Sequence, residues 1–207
     1  MLTPHEYSII GHSRSTIGRY LGALAAFIAA GSVVASGAAT GVAHWLGLSG
    51  WLSHVTVIPI SAAVVYPVAH WLFDRFAWKY AGRVLNIADI SGDWQCDGTT
   101  LSEEGTIKFT WQADIAISQS WEKIHVTLRT RQSASHSVSA ALIPEADGSW
   151  MLMYSYRNEP RAGEPDLNAH LGYCELRFGK SLRDAEGDYF NARGRGTFGR
   201  MQLTKKV

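Results

Sequence analysis

Arg193 and Arg195 flank one glycine, Tyr154 and Tyr156 alternate along one segment, and Thr130, Ser135, Asn158 and Thr197 carry hydroxyl or amide groups. These are the side chains of this 207-residue chain whose types and spacing could do chemistry, and the chemistry is recognition. A guanidinium donates two parallel N–H groups to a pair of anionic oxygens, a phenol ring offers a face for stacking, and short polar side chains read hydrogen-bonding edges. Each has a plainer reading beside it. Arginines next to a turn serve equally as solvated charges, and tyrosines at alternate positions serve as core.

Catalysis has no comparable candidate. His125, His136 and His170 lack a partner pattern such as HExxH, and Ser133, Ser135, Ser137 and Ser139 lack the strand-turn-helix setting of a nucleophile elbow. Cys96 and Cys174 show no metal-ligand spacing and read as small buried residues. Gly194-Arg195-Gly196-Thr197-Phe198-Gly199 spells GxGxxG, but that fingerprint works only where the glycines follow a strand and open a helix. Here the residues that follow have strand character, so the glycines suit a tight turn and a close backbone approach, with a phosphate contact from the local N–H groups or Arg195 left open. The chain is expected to be no enzyme and to use no metal or cofactor.

Two patterns position these groups. Residues 20–73 contain no Lys, Arg, Asp or Glu and hold two apolar segments, 20–46 and 52–73, split by Gly47-Leu48-Ser49-Gly50. A spanning helix needs roughly 20 apolar residues for a hydrocarbon core of about 30 Å, whereas one helix through the whole run would be about 80 Å long. The run therefore reads as a transmembrane hairpin. Arg14 and Arg19 precede it and Arg75, Lys79 and Arg83 follow it, so the positive-inside rule places both termini in the cytoplasm, on a multi-pass membrane protein. Residues 1–19 are then a cytoplasmic N-terminal segment whose first dozen residues carry no functional signal, and residues 74–89 are a linker. Gly18, Gly22, Ala26 and Ala30, with Gly37 and Gly41 further on, recur at helical spacing. They either pack the two helices of one hairpin or associate copies of the chain. Trp45, Trp51, Trp71 and Trp78 read as interfacial anchors, and with no ionisable residue in either span, ion-coupled transport is not expected.

From residue 90 the period becomes two. Eight runs read as strands, over 90–99, 106–118, 123–131, 137–143, 150–157, 170–178, 186–193 and 197–205, with Asp147-Gly148 a hairpin signal. Short connections make neighbours antiparallel, and without a helix to cover a face, eight such strands close most economically into an up-and-down, lipocalin-like minimal barrel over residues 90–207, with a two-sheet sandwich as the alternative. Parity turns Ile107, Phe109, Trp111, Ala113, Ile115 and Ile117 inward, together with Val138, Ala140 and Leu142. It also turns Tyr154 and Tyr156 inward, and the meander puts Ser135, Asn158, Arg193 and Arg195 at the mouth opposite the linker. An aromatic interior below a cationic mouth fits an anionic ligand with stackable rings. A net charge of +1 gives no reason to expect DNA or RNA, and in a reducing cytosol the two cysteines are expected to be free thiols.

The two-helix hairpin followed by Ile90-Ser91-Gly92-Asp93-Trp94, by Trp150 through Tyr154-Ser155-Tyr156-Arg157-Asn158-Glu159-Pro160, and by Gly187 through Arg195 resembles the β-barrel effectors of CBASS anti-phage systems. That resemblance covers nearly the whole chain. It implies a barrel that binds a cyclic oligonucleotide made by a partner nucleotidyltransferase, self-associates into a homo-oligomer, and disrupts the lipid bilayer to kill the infected cell. With a cyclic dinucleotide as ligand, Arg193 and Arg195 would meet the phosphates, Tyr154 and Tyr156 would stack on bases, and Thr130, Ser135, Asn158 and Thr197 would read base edges or ribose. Two other readings explain the same residues: a membrane-tethered carrier of a lipid or other apolar molecule, and a structural membrane protein with a filled barrel.

Overall fold

The computed structural model describes residues 3–47, 61–85, 87–164, 168–192 and 196–206. The chain forms two compact units, Met1–Gly11 with Trp78–Val207 and, between them in sequence, His12–Ala77.

In the helical unit, α1 (Arg14–Trp45) is a single helix of 32 residues, about 48 Å long at the usual rise. It is long and apolar enough to cross a membrane. Ser32, Ser36 and Thr40 sit within its apolar length because their hydroxyls donate to carbonyls one turn back at 2.7, 2.7 and 2.9 Å. The second helix, α2 (Ala62–Leu72), contains Pro67 and passes into a π-helical turn, Phe73–Ala77. The hairpin turn at Leu48-Ser49-Gly50 and the first part of the second segment, with Trp51, His54 and Pro59, lie outside the described residues. Ala25 and Ala43 of α1 are buried, and Gly18 lies against the Tyr66 hydroxyl of α2. Gly18 and Gly22 are half-buried whereas Ala26, Ala30, Gly37 and Gly41 are exposed, so only the start of the small-residue stripe is covered.

The second unit opens with β1 (His5–Glu6) and β2 (Ser8–Ile9), then resumes after the helices with α3 (Trp78–Leu85) and eight strands. These are β3 (Gly92–Leu101), β4 (Ile107–Gln119), β5 (Lys123–Arg129), β6 (Ser133–Pro144), β7 (Trp150–Pro160), β8 (His170–Phe178), β9 (Asp184–Asn191) and β10 (Phe198–Lys205). Each pairs antiparallel with its neighbour in sequence, β10 pairs back to β3, and β5 meets β6, closing the barrel. Residues 198–205 form a strand, with Gly196 at φ 52°, and Gly199 packs so tightly on the Thr99 carbonyl that a Cβ there would overlap it. No dinucleotide-binding helix follows GxGxxG.

The linker end of the barrel is solid. Trp94 and Phe178 meet edge to face at 5.2 Å among Ile115, Ile124, Leu142, Leu152, Leu176 and Leu203, all fully buried or nearly so. Trp78 is buried as well, unlike exposed Trp45 and Trp71, so it does not act as an interfacial anchor. The N-terminal residues complete the barrel, because β5 and β6 pair only over Thr127–Arg129 against Ala134–His136 and leave a gap at the linker end. There β1 pairs with Lys123 and Ile124 while β2 pairs with Ala141 and Leu142. Tyr7, between them, is 4% exposed. Its hydroxyl donates to the Ser120 carbonyl and accepts from Gln119 Nε2, both at 3.1 Å. Gln119 also donates to the Ala88 carbonyl and accepts from the Ile90 N–H, so one amide joins the N-terminal strands to the linker. The gap coincides with a β-bulge between Ser137 and Ser139. The bulge turns Val138 outward to 39% exposure, which corrects the inward position expected from unbroken parity. Ser137 Oγ then accepts from the Val126 N–H at 2.9 Å, satisfying a donor that the split seam would otherwise orphan.

Candidate functional site

The far end of the barrel is hollow. A cavity of about 870 Å3, open mouth included, lies between β3 through β10 and is lined from Met201 and Val126 up to Phe109, Gln132 and Thr197. One wall is built on β7. Tyr154 and Tyr156 point inward with ring centroids 6.0 Å apart, tilted 49°. Opposite Tyr156 in register is Gly172, where a Cβ would overlap the phenol ring, so glycine lets the ring lie flat across β8. Tyr156 donates to Asn191 Oδ1 at 2.8 Å, and Asn191 Nδ2 donates to Thr197 Oγ1 at 2.6 Å, linking β7, β9 and the start of β10.

The facing wall repeats the device. Trp111 lies over Gly98, its register partner, and meets Tyr189 edge to face at 5.6 Å and 75°. Its indole N–H is shared between Thr100 Oγ1 and the Tyr189 hydroxyl, both at 3.3 Å, and those two oxygens are themselves 2.7 Å apart. At the rim, Thr130 Oγ1 accepts from the Ser133 N–H at 3.0 Å and holds the β5–β6 turn. Ser135 donates to Asn158 Oδ1 at 2.9 Å, and His170 Nδ1 donates to the Asn168 carbonyl at 2.9 Å.

Burial keeps the interior groups neutral. It pushes the Tyr154 phenol well above its usual range and the Cys96 thiol up to about 12, with the Cys174 thiol higher still, so neither cysteine presents a thiolate. No Lys or Arg lines the cavity among the described residues. What this arrangement can do is take up a flat, uncharged ring between aromatic faces and meet its edge with polar groups.

Thr130, Ser135, Tyr154, Tyr156, Asn158 and Thr197, proposed from parity and mouth position, all line this one cavity. Arg193 and Arg195 lie outside the described residues. Trp111, Thr100 and His170, expected inside or at the mouth but given no role, line it too, as do Tyr189, Asn191 and Gln132, which were not singled out. Inward parity placed Trp111, and the same parity carries Tyr189 and Asn191. The glycines opposite Trp111 and Tyr156 were the missed signal, since each removes a Cβ where an aromatic ring must cross the sheet.

A closed barrel, solid at one end and hollow with aromatic walls at the other, joined to a long apolar helix, defines a membrane-associated receptor for a small ligand. The chain belongs to the Cap15 family of CBASS effectors: the family's cyclic dinucleotide receptor domain matches residues 85–205 and its TM helices match residues 15–79. It is 37% identical to CD-NTase-associated protein 15 of Yersinia aleksiciae over 207 residues, 97% of each chain. It is 30% identical to CD-NTase-associated protein 15 of Staphylococcus schleiferi over 136 residues, 64% of this chain and 70% of that one.

Proposed function

We propose that this chain is an anti-phage effector that holds a cyclic dinucleotide, made by a partner nucleotidyltransferase, in the far-end cavity of its barrel. Occupancy drives self-association, and the clustered helices disrupt the inner membrane and kill the infected cell. The observation that carries the reading is the aromatic hollow between Tyr154, Tyr156, Trp111 and Tyr189, a concave site walled by rings and edged with polar groups. In this reading Tyr154 and Tyr156 stack on bases, and Thr130, Ser135, Asn158 and Thr197 contact base edges or ribose. Arg193 and Arg195 pair with the phosphates. Exposed Gly37 and Gly41 on α1 support helix association between copies, since small residues let helices approach closely in lipid. Both termini are cytoplasmic and the helical segment is a two-span hairpin.

Dye release from liposomes carrying the full chain, with and without cyclic dinucleotides, tests the switch. Release is expected only with ligand, and release that never depends on ligand overturns it.

The absence of Lys and Arg from the described lining favours a second reading, a tethered carrier of a lipid or other apolar molecule. Solvent extraction and mass spectrometry of the purified protein separates the two, because a stoichiometric co-purifying lipid supports the carrier.

A further inference from the structure

Asn158 is 4% exposed, yet its amide Nδ2 has no hydrogen-bond partner. Asn158 lines the cavity, and both of its register partners make hydrogen bonds that leave this donor unmatched. Ser135, its register partner on β6, occupies Oδ1. His170, its register partner on β8, donates from Nδ1 to the Asn168 carbonyl, which accepts only, and in the tautomer that this bond selects Nε2 carries the lone pair. Directly paired strand residues stand about 4.5–5.5 Å apart. A donor on β7 and an acceptor on β8 therefore lie side by side at one level of the cavity wall.

We infer that Asn158 Nδ2 and His170 Nε2 together take the hydrogen-bonding edge of one nucleobase, so that the nucleotide enters base first and leaves its phosphates toward the mouth. This rests on the cyclic dinucleotide reading above. The pairing decides against the two other groups such a cavity could hold at this position. A phosphodiester carries acceptors only, so it would satisfy Asn158 but set anionic oxygens against the His170 lone pair, in a lining that has no Lys or Arg among the described residues. An acyl chain satisfies neither group. A nucleobase edge carries an acceptor beside a donor, which matches both. Ser135 acts as a positioning residue, because its hydrogen bond to Oδ1 holds the Asn158 side chain against β6.

Calorimetry on the full chain in detergent, with c-di-AMP, c-di-GMP and c-di-UMP at two salt concentrations, tests the assignment on Asn158→Ala and His170→Phe. Losing one buried hydrogen bond is expected to weaken the preferred ligand by about tenfold or more. The order of preference among the three ligands changes, while the salt dependence of binding stays that of the wild type. A uniform loss across all three with a shallower salt dependence makes the contact a phosphate contact and overturns the base-edge assignment, as does unchanged affinity in both variants. If thermal unfolding shows Asn158→Ala to be misfolded, His170→Phe and Ser135→Ala carry the same readout. If the wild-type chain binds none of the three, the receptor reading itself fails, and the base-edge assignment falls with it.

Discussion

At the scale of single residues, glycine is as informative as any polar group. Gly172→Ala puts a methyl group where the Tyr156 ring lies, so the ring must swing from the wall. The expected result is about 1–3 kcal/mol of lost stability from overpacking, read by thermal unfolding, and weaker ligand binding by calorimetry. His125 gives a pH dependence. Burial, then the charges of His136 stacked at 5.4 Å and of His5, holds its pKa below the ordinary value. The unfolded chain then binds more protons than the folded one between the two values, so stability falls as pH drops below about 6.5 and levels off beneath the folded pKa. Melting temperature measured from pH 7.5 to 5 should decline, and His125→Phe should flatten that decline. The cavity-lining residues of β7, Tyr154, Tyr156 and Asn158, were legible because parity is rigid along an unbroken strand. Val138 was not, since a bulge shifts parity and nothing in Ser137-Val138-Ser139 announces one.

At the scale of elements, eight strands could be read from alternation and turn chemistry because each buries one face against a shared core. The strands β1 and β2 could not, being two residues long with no alternation of their own. Their reason to exist lies in the gap between β5 and β6, a tertiary feature. Tyr7 is the residue that fills it, and Tyr7→Ala is expected to lower barrel stability by about 2–4 kcal/mol, a lowered midpoint in denaturant melts. Ligand binding at the opposite end should change far less than stability does. Equal losses in both would mean that the gap and the cavity are not separable.

At the scale of the whole molecule, the proposed topology makes a plain prediction. A cysteine placed at Lys206 reacts with a membrane-impermeant maleimide in lysed cells and not in intact spheroplasts, and labelling of intact spheroplasts would put the barrel on the other side. Native Cys96 and Cys174 give little background, being buried with thiol pKa values pushed up. The N-terminal strands carry one more consequence, which concerns synthesis. Since β1 and β2 belong with residues 78–207, the helices are an insertion within the barrel's chain rather than an appendage before it. The first piece of the barrel to leave the ribosome must wait, its backbone unpaired, until β5 and β6 emerge more than a hundred residues later. By then α1 and α2 have already left the ribosome, so the sheet of the barrel is completed only on a chain whose helices have been made.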